Sequence, residues 1–502
     1  MIQQTVFLVI AIAFLTSDAH GQPKTITIFH TNDMHASFIP HEAAWIRSEP
    51  KPLVGGFNEL SFVIDSLRKV KASALLLDAG DVMTGNPITE YDYHGAQGGI
   101  LFEMMNRLGY DVWTAGNHDF DISKENFIAL TKIAAFPTLS ANLVDANGKL
   151  AYNNKEYLIL EKNGLKIGVI GVMSRLFYNL VSQSSTVGIK LLDPMATLQR
   201  LVNELDPKTD LLIALTHVGI EDDSVLAMNV HGLDVIVGGH SHTRLRTPKV
   251  VNGTIIVQTG SNCENLGVLD LTVENDQVTA FNGGLVQLWY TSERPKTALS
   301  LFIDSIQTRI DHDYAEIIGT LETDWVRGRG VEGNIGNFVT DTQREAVQAD
   351  VAFTNSQGIR KDAAKGLLTK RDLFEALPFR NILTTFTLSG KELKTIIMGI
   401  IENQKRRSES IQTSGIICEW KQLEGGEVEI VKLLINGQPF GEAKTYTAAA
   451  NDYMMGESDR YLGIPTPKLT YTNYTLFETV EKKIRALKSI SSHVENRIRK
   501  VQ

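Results

Sequence analysis

The strongest constraint on this chain is a series of five short segments bearing Asp, Asn and His, each set directly after an apolar run. Asp33-Met34-His35 follows residues 25–30, and Gly80-Asp81 follows residues 74–77. Gly116-Asn117-His118-Asp119 follows the run around Val112, and Thr216-His217 closes the run that begins at Asp210. Gly238-Gly239-His240-Ser241-His242 follows residues 234–237. These runs, with others at 166–173 and 254–258, are short and rich in Val, Ile and Leu, which predicts buried strands. Stretches at 57–71, 99–108 and 195–205 carry apolar residues at helical spacing. Such alternation predicts a layered α/β domain. Ligands of α/β sheets gather beyond the carboxyl ends of the strands, so all five segments are expected to face one place.

Carboxylate, imidazole and carboxamide groups together suit zinc, manganese or iron. A carboxylate has two oxygens and can bridge two cations. A pair of cations roughly 3.5–4 Å apart can hold a water and a phosphoryl oxygen, and makes a hydroxide at neutral pH. It also offsets the charge that builds on phosphorus in the transition state. Taken singly, each segment reads as a capping Asp, a turn Asn or a packing His. The ordered set does not, because buried ionisable groups need partners and these offer one another. Five of the twelve histidines fall in it; the other seven read as surface or packing residues.

A chain of 502 residues exceeds one hydrophobic core. Residues 1–21 read as an export signal: an apolar run at 6–15 too short to span a bilayer, then small residues at Ala19 and Gly21. The expected location is therefore periplasmic or extracellular. Residues 22–291 form the first domain, 292–318 a linker with a helix-like run at 297–310, and 319–502 a second α/β domain. No later stretch predicts a membrane span. The net charge of −9 lacks the basic footprint that a nucleic-acid polymer requires, while small anionic substrates stay open because metal supplies local positive charge. Cys263 and Cys418 fall in different domains and read as unpaired thiols. A monomer or homodimer is expected.

The order D-x-H, G-D, G-N-H-D, T-H and G-G-H-S-H resembles the calcineurin-like metallophosphoesterase superfamily. Over roughly residues 24–480 the chain is similar to the secreted 5'-nucleotidase and UDP-sugar hydrolase family. The resemblance implies an N-terminal two-sheet αββα sandwich and a separate C-terminal α/β substrate-binding domain. It implies that Asp33, His35, Asp81 and His242 hold one divalent ion. Asp81, Asn117, His217 and His240 would hold the other, with Asp81 bridging; the ions would be zinc or manganese, with iron or cobalt as alternatives. It further implies that His118 stabilises the transition state, oriented by Asp121. Asp121 also fits a cap for the helical stretch at 123–134. Two departures are visible: Ala36 stands where the family usually has Gly, and Asp119 where it usually has Glu.

In the second half, Asn355-Ser356-Gln357-Gly358-Ile359-Arg360, Leu377-Pro378-Phe379-Arg380-Asn381 and the run from Asn451 to Tyr461 combine aromatics, acids and arginines. Aromatics can sandwich a base, an acid can accept from ribose, and arginines can fork onto phosphate. The resemblance implies that Phe379 and Tyr453 stack on the base and that Asp459 binds ribose. Asn355, Arg329 and Arg360 would face base, ribose or phosphate. Here Ser356 and Gln357 replace two glycines of the family pattern N-G-G-G-I-R, and Glu457-Ser458-Asp459-Arg460 replaces G-G-D-G. The expected activity is release of phosphate from nucleoside 5'-monophosphates by a metal-bound hydroxide. UDP-sugar or 2',3'-cyclic-nucleotide hydrolysis on the same site is the alternative. An inactive binding or adhesion protein would have lost a ligand, and none is missing.

Overall fold

The computed structural model describes residues 22–501 apart from 153, 182, 329 and 407–409. The expected export segment and Arg329 lie outside the described residues. Strands β1 (Lys24–Thr31), β2 (Leu75–Asp78), β3 (Val112–Thr114) and β4 (Thr138–Leu139) run parallel in a first sheet. Then come β5 (Tyr157–Lys162), β6 (Leu165–Met173), β7 (Leu211–His217), β8 (Val235–Val237), β9 (Lys249–Val251) and β10 (Thr254–Val257). They form a second sheet in the order β5-β6-β7-β8-β10-β9. A long hairpin, β11 (Asn265–Glu274) and β12 (Gln277–Gln287), returns to the first sheet as its antiparallel edge beside β1.

Alternation along each strand sets the layers. Ile26, Ile28, Leu75 and Leu77 meet Ile167, Val169, Ile213 and Leu215 in a core between the sheets. Phe29, Leu76 and Trp113 point the other way, onto Leu60, Ile64, Leu101 and Met105 of the helices Phe57–Arg68 and Gly99–Leu108. Ile170, Val172, Leu212 and Ala214 meet Leu198, Leu201 and Leu205 of the helix Pro194–Leu205, which Asp193 caps by accepting from the Ala196 N–H at 2.7 Å. The result is helix, sheet, sheet, helix. The strands and helices read from apolar periodicity match these elements to within a few residues.

The connector is less independent than its charge and proline suggest. Thr297 caps a helix Ala298–Tyr314 by accepting from the Ser300 N–H. Leu299, Ile303 and Ile310 of that helix belong to the N-terminal core, and the Arg107 guanidinium lies 4.0 Å over the Phe302 ring. Upstream, Arg294 is ion-paired with buried Glu59. The helix therefore rides on the first domain. It reaches the second at Tyr314, whose ring lies 5.8 Å from that of Phe374.

The second domain centres on strands β13 (Val351–Asn355), β14 (Ile382–Ser389), β15 (Ile411–Ser414), β16 (Thr445–Asn451) and β17 (Thr470–Thr475), in the order β15-β13-β16-β14-β17. β13 and β16 are parallel neighbours. The segments that follow them, beginning at Asn355 and Asn451, therefore leave the sheet at the same edge. Cys263 and Cys418 are buried and unbridged. Among the described residues, no helix is long and apolar enough to cross a membrane.

Candidate metal centre and facing cavity

The loops after β1 and β2 are zipped together: the backbone N–H groups of Asp33, His35 and Ala36 donate to the carbonyls of Gly80, Asp81 and Val82 at 2.8, 2.9 and 2.8 Å. Asp33, His35, Asp81, His240 and His242 all take left-handed backbone, with φ between 46° and 77°. Asp, Asn and His tolerate this region better than most residues, and such strain gathers at functional sites. Gly116 has a different reason: a Cβ there would stand 2.1 Å from Asp81 Oδ1. Asp119, buried at the end of the third segment, accepts backbone N–H bonds from Gly116, Asp81, Val82 and Met83 at 2.8 to 3.0 Å. It fastens two loops to each other through their backbone.

The seven expected ligands converge as two groups. Asp33, His35 and His242 offer donor atoms within 4.8 Å of one another, and so do Asp81, His217 and His240. In the first, His35 Nε2 lies 3.0 Å from His242 Nε2, and His242 Nε2 3.5 Å from Asp33 Oδ1. In the second, His217 Nε2 lies 3.2 Å from Asp81 Oδ2. Asn117 Oδ1 joins it, 3.0 Å from His240 Nδ1. Asp81 Oδ2 is also 3.9 Å from His35 Nε2, so one carboxylate stands between both groups.

The donors fit a pair of divalent ions. His217 Nδ1 donates to the Ala79 carbonyl at 2.7 Å, which turns Nε2 toward Asp81, yet buried Nε2 has no aligned hydrogen-bond partner. Burial raises the Asp33 carboxyl to about 7 even though His217 opposes the shift. Burial lowers His35 to about 3 and His240 to about 4. Neutral imidazoles such as His35 and His240 beside carboxylates are what nitrogen- and oxygen-binding cations require, whereas Asp81 and Asp33 outweigh burial at His217 and raise it to about 10.

Beside these groups, His118 occupies a short 3-10 turn (His118–Phe120), its backbone N–H donating to Asp81 Oδ1 at 2.8 Å. Its Nδ1 is 2.8 Å from Asp121 Oδ2, which also accepts from Thr84 Oγ1 at 2.7 Å. Burial opposes a charge on His118, but Asp121 and Asp81 outweigh it and raise its pKa to about 10. Asp121 is not the helix cap; Ser123 caps Lys124–Ile133 by accepting from the Asn126 N–H.

His118 also faces the second domain. Its ring stacks 6.3 Å from that of Phe379, and Arg360 lies 5.8 Å over the other ring. His118, Asn355, Gln357, Arg360, Phe379 and Tyr453 all line a cavity of about 120 Å³. A larger cavity of about 820 Å³ shares His118, Asn381 and Tyr453 and is walled further by Asp121, Tyr178, Asp452 and Tyr471. Asp459 is brought to neither wall. It sits exposed on the short helix Ser458–Leu462, past the break after Gly456. The acid that the second domain sets on the wall of the larger cavity is Asp452, which accepts from the Ile382 and Tyr453 N–H groups at 2.9 Å and is pushed up to about 7 by burial.

Residues 26–244 match the family model for calcineurin-like phosphoesterases, and residues 317–464 match that for the 5'-nucleotidase C-terminal domain. A 5'-nucleotidase of Vibrio vulnificus is 28% identical over 501 aligned positions, covering 89% of this chain and 86% of the relative. The protein UshA of Yersinia enterocolitica is 27% identical, covering 91% and 90%. Among solved structures, a 5'-nucleotidase precursor from Thermus thermophilus superposes with a TM-score of 0.73 at 26% identity, covering 95% of this chain and 99% of that one.

Proposed function

From a chain that belongs to the calcineurin-like metallophosphoesterases carrying a 5'-nucleotidase C-terminal domain, we propose an exported dinuclear hydrolase that releases phosphate from nucleoside 5'-monophosphates. One observation carries this reading: His118, whose backbone touches Asp81 of the donor cluster, also walls the aromatic cavity of the other domain. Phosphate bound at the donors thus lies next to a nucleoside bound at Phe379 and Tyr453.

In this reading Asp33, His35, Asp81 and His242 hold one ion, and Asp81, Asn117, His217 and His240 the other. The ions, zinc or manganese by donor type, supply an acidified water and offset charge on the phosphoryl oxygens when bound. Asp121 keeps the Nδ1 proton of His118 and fixes the ring, so Nε2 is directed to stabilise the transition state and protonate the leaving ribose oxygen. Phe379 and Tyr453 hold the base, Asn355 binds base or ribose, and Arg360 attracts the phosphate. Arg360 also lowers the pKa of His242, after burial and other neighbours, which supports its place beside the centre.

The test is phosphate release from a panel of nucleotides by metal-free protein, with zinc or manganese added back. Full activity without metal, or 5'-monophosphates turned over no better than p-nitrophenyl phosphate, refutes the reading. The larger cavity beside His118 favours one second reading, hydrolysis of esters with a further bulky group such as UDP-sugars. A higher kcat/KM for UDP-glucose than for UMP in the same panel would select it.

A further inference from the structure

Resting on the dinuclear reading and going beyond it, we propose that Gln258 is a positioning residue: it sets the spacing between His240 and His242 and so places one imidazole at each ion. Gln258 directly follows β10 and is fully buried, outside the expected ligand set. The loop it meets carries both histidines in left-handed backbone, at φ 77° and 54°, and leaves the His242 side chain 48% exposed. A chain keeps such a conformation only where its surroundings over-determine it. Gln258 grips this loop at three points. Its Nε2 donates to the Gly239 carbonyl at 3.0 Å, just before His240. Its Oε1 accepts from Ser241 Oγ at 3.0 Å, between the two histidines, and from the Thr243 N–H at 2.6 Å, just after His242.

The loop offers one acceptor, at Gly239, and two donors, at Ser241 and Thr243. A carboxamide answers all three; a carboxylate only accepts, an ammonium only donates, and an apolar side chain does neither. Ser241 passes the tie on, its Oγ accepting from the Ile220 N–H at 3.0 Å on the chain that leaves His217. The opposite face of the loop has no slack: a Cβ at Gly239 would stand 2.7 Å from the Ala79 carbonyl oxygen and 2.9 Å from His217 Nδ1. His240 groups with Asp81 and His217, whereas His242 groups with Asp33 and His35. A shift of this one loop therefore displaces a donor of each group at once. Residues that orient metal ligands in this way typically carry about 10–100-fold of metal affinity.

The experiment measures zinc binding to metal-free protein by chelator competition, with Tm by calorimetry without metal, in wild type, Gln258→Leu, Ser241→Ala and Asn106→Leu. Asn106 is the control: its carboxamide bridges two helices away from the centre, donating to the Ile133 carbonyl at 2.9 Å and accepting from the Ala135 N–H at 2.7 Å. Gln258→Leu should weaken both zinc ions about 10–100-fold. At saturating zinc it should lower kcat on AMP at least about tenfold with KM little changed. Ser241→Ala leaves the other two ties, should weaken both ions by a smaller factor, and decides the matter if Gln258→Leu does not fold. Asn106→Leu should lower Tm and leave zinc affinity as in wild type. Zinc bound by Gln258→Leu and Ser241→Ala as tightly as by wild type overturns the inference, as does weakening of one ion alone, or a raised KM with kcat unchanged. Equal weakening of zinc by Asn106→Leu at the same loss of Tm overturns it too. In each of these outcomes the dinuclear reading stands. If wild type itself binds fewer than two zinc ions, that reading falls and takes the inference with it.

Discussion

Arg380 of the second domain is ion-paired with Glu90 of the first, across the mouth of the cleft whose larger cavity Arg380 also walls. One residue along from the pair, Phe379 stacks over His118. The covalent joint between the domains lies just past Tyr314, because the preceding helix is packed into the N-terminal core.

Substrate entry and product release are expected to part the two domains about residues 315–316. Cysteines placed at 90 and 380 and joined by a short bis-maleimide linker should lower kcat at least about tenfold relative to either single variant treated alike. Cys263 and Cys418 are buried and should not interfere. Equal turnover of linked and unlinked protein would show that no opening is needed.

Asp81 stands between both donor groups, 3.2 Å from His217 and 3.9 Å from His35. Asp81→Asn should release at least one ion per chain, read by metal analysis after dialysis, and cut kcat/KM by about 100-fold or more. Retention of both ions would contradict the bridging role.

Asp121 acts through His118, so its removal should affect the chemical step more than binding. Asp121→Asn is expected to lower kcat roughly 100-fold with a small change in KM. A proportionate rise in KM with unchanged kcat would place Asp121 in substrate binding instead.

Much of the centre was legible because each ligand sits next to the apolar run that positions it. Asp33 lies two residues past one strand and His217 ends another, and a strand is readable from four or five residues. What the sequence hid depends on contacts far along the chain. Asp119 looks like one more member of the G-N-H-D segment, but its work is to bind the backbone of residues 81–83. Asp452 and Asp459 lie in one motif, and only the break after Gly456 decides which acid faces the cleft. The β11–β12 hairpin has a different signal, the apolar-polar alternation from Leu269 to Glu274 that marks a strand with one covered face rather than the continuous apolar runs of the central strands.

A fourth expectation concerns stability. Asp223 lies behind His217, with Oδ1 accepting from Thr216 Oγ1 at 2.6 Å, while burial lifts its carboxyl to about 8. An unfolded Asp ionises near about 3.9. Between that value and about 8 the folded protein keeps a proton that the unfolded chain has lost, so the contribution of this group to stability falls as pH rises. Asp223→Asn cannot ionise. In calorimetry of metal-free protein, its Tm relative to wild type should rise by at least about 3 °C between pH 5 and pH 8.5. A Tm difference that stays constant with pH would mean Asp223 is ionised in the fold.

The left-handed backbone at Asp33, His35, Asp81, His240 and His242 restricts the repertoire of the cradle from two independent sides. A cation selects for oxygen and nitrogen donors, and the twist of the chain selects against branched or bulky residues. Asp, Asn and His satisfy both demands. Glutamate would meet the first at a greater reach but fits the second less well, so even a swap that conserves charge should loosen the cradle through its main chain as well as its ligand atom.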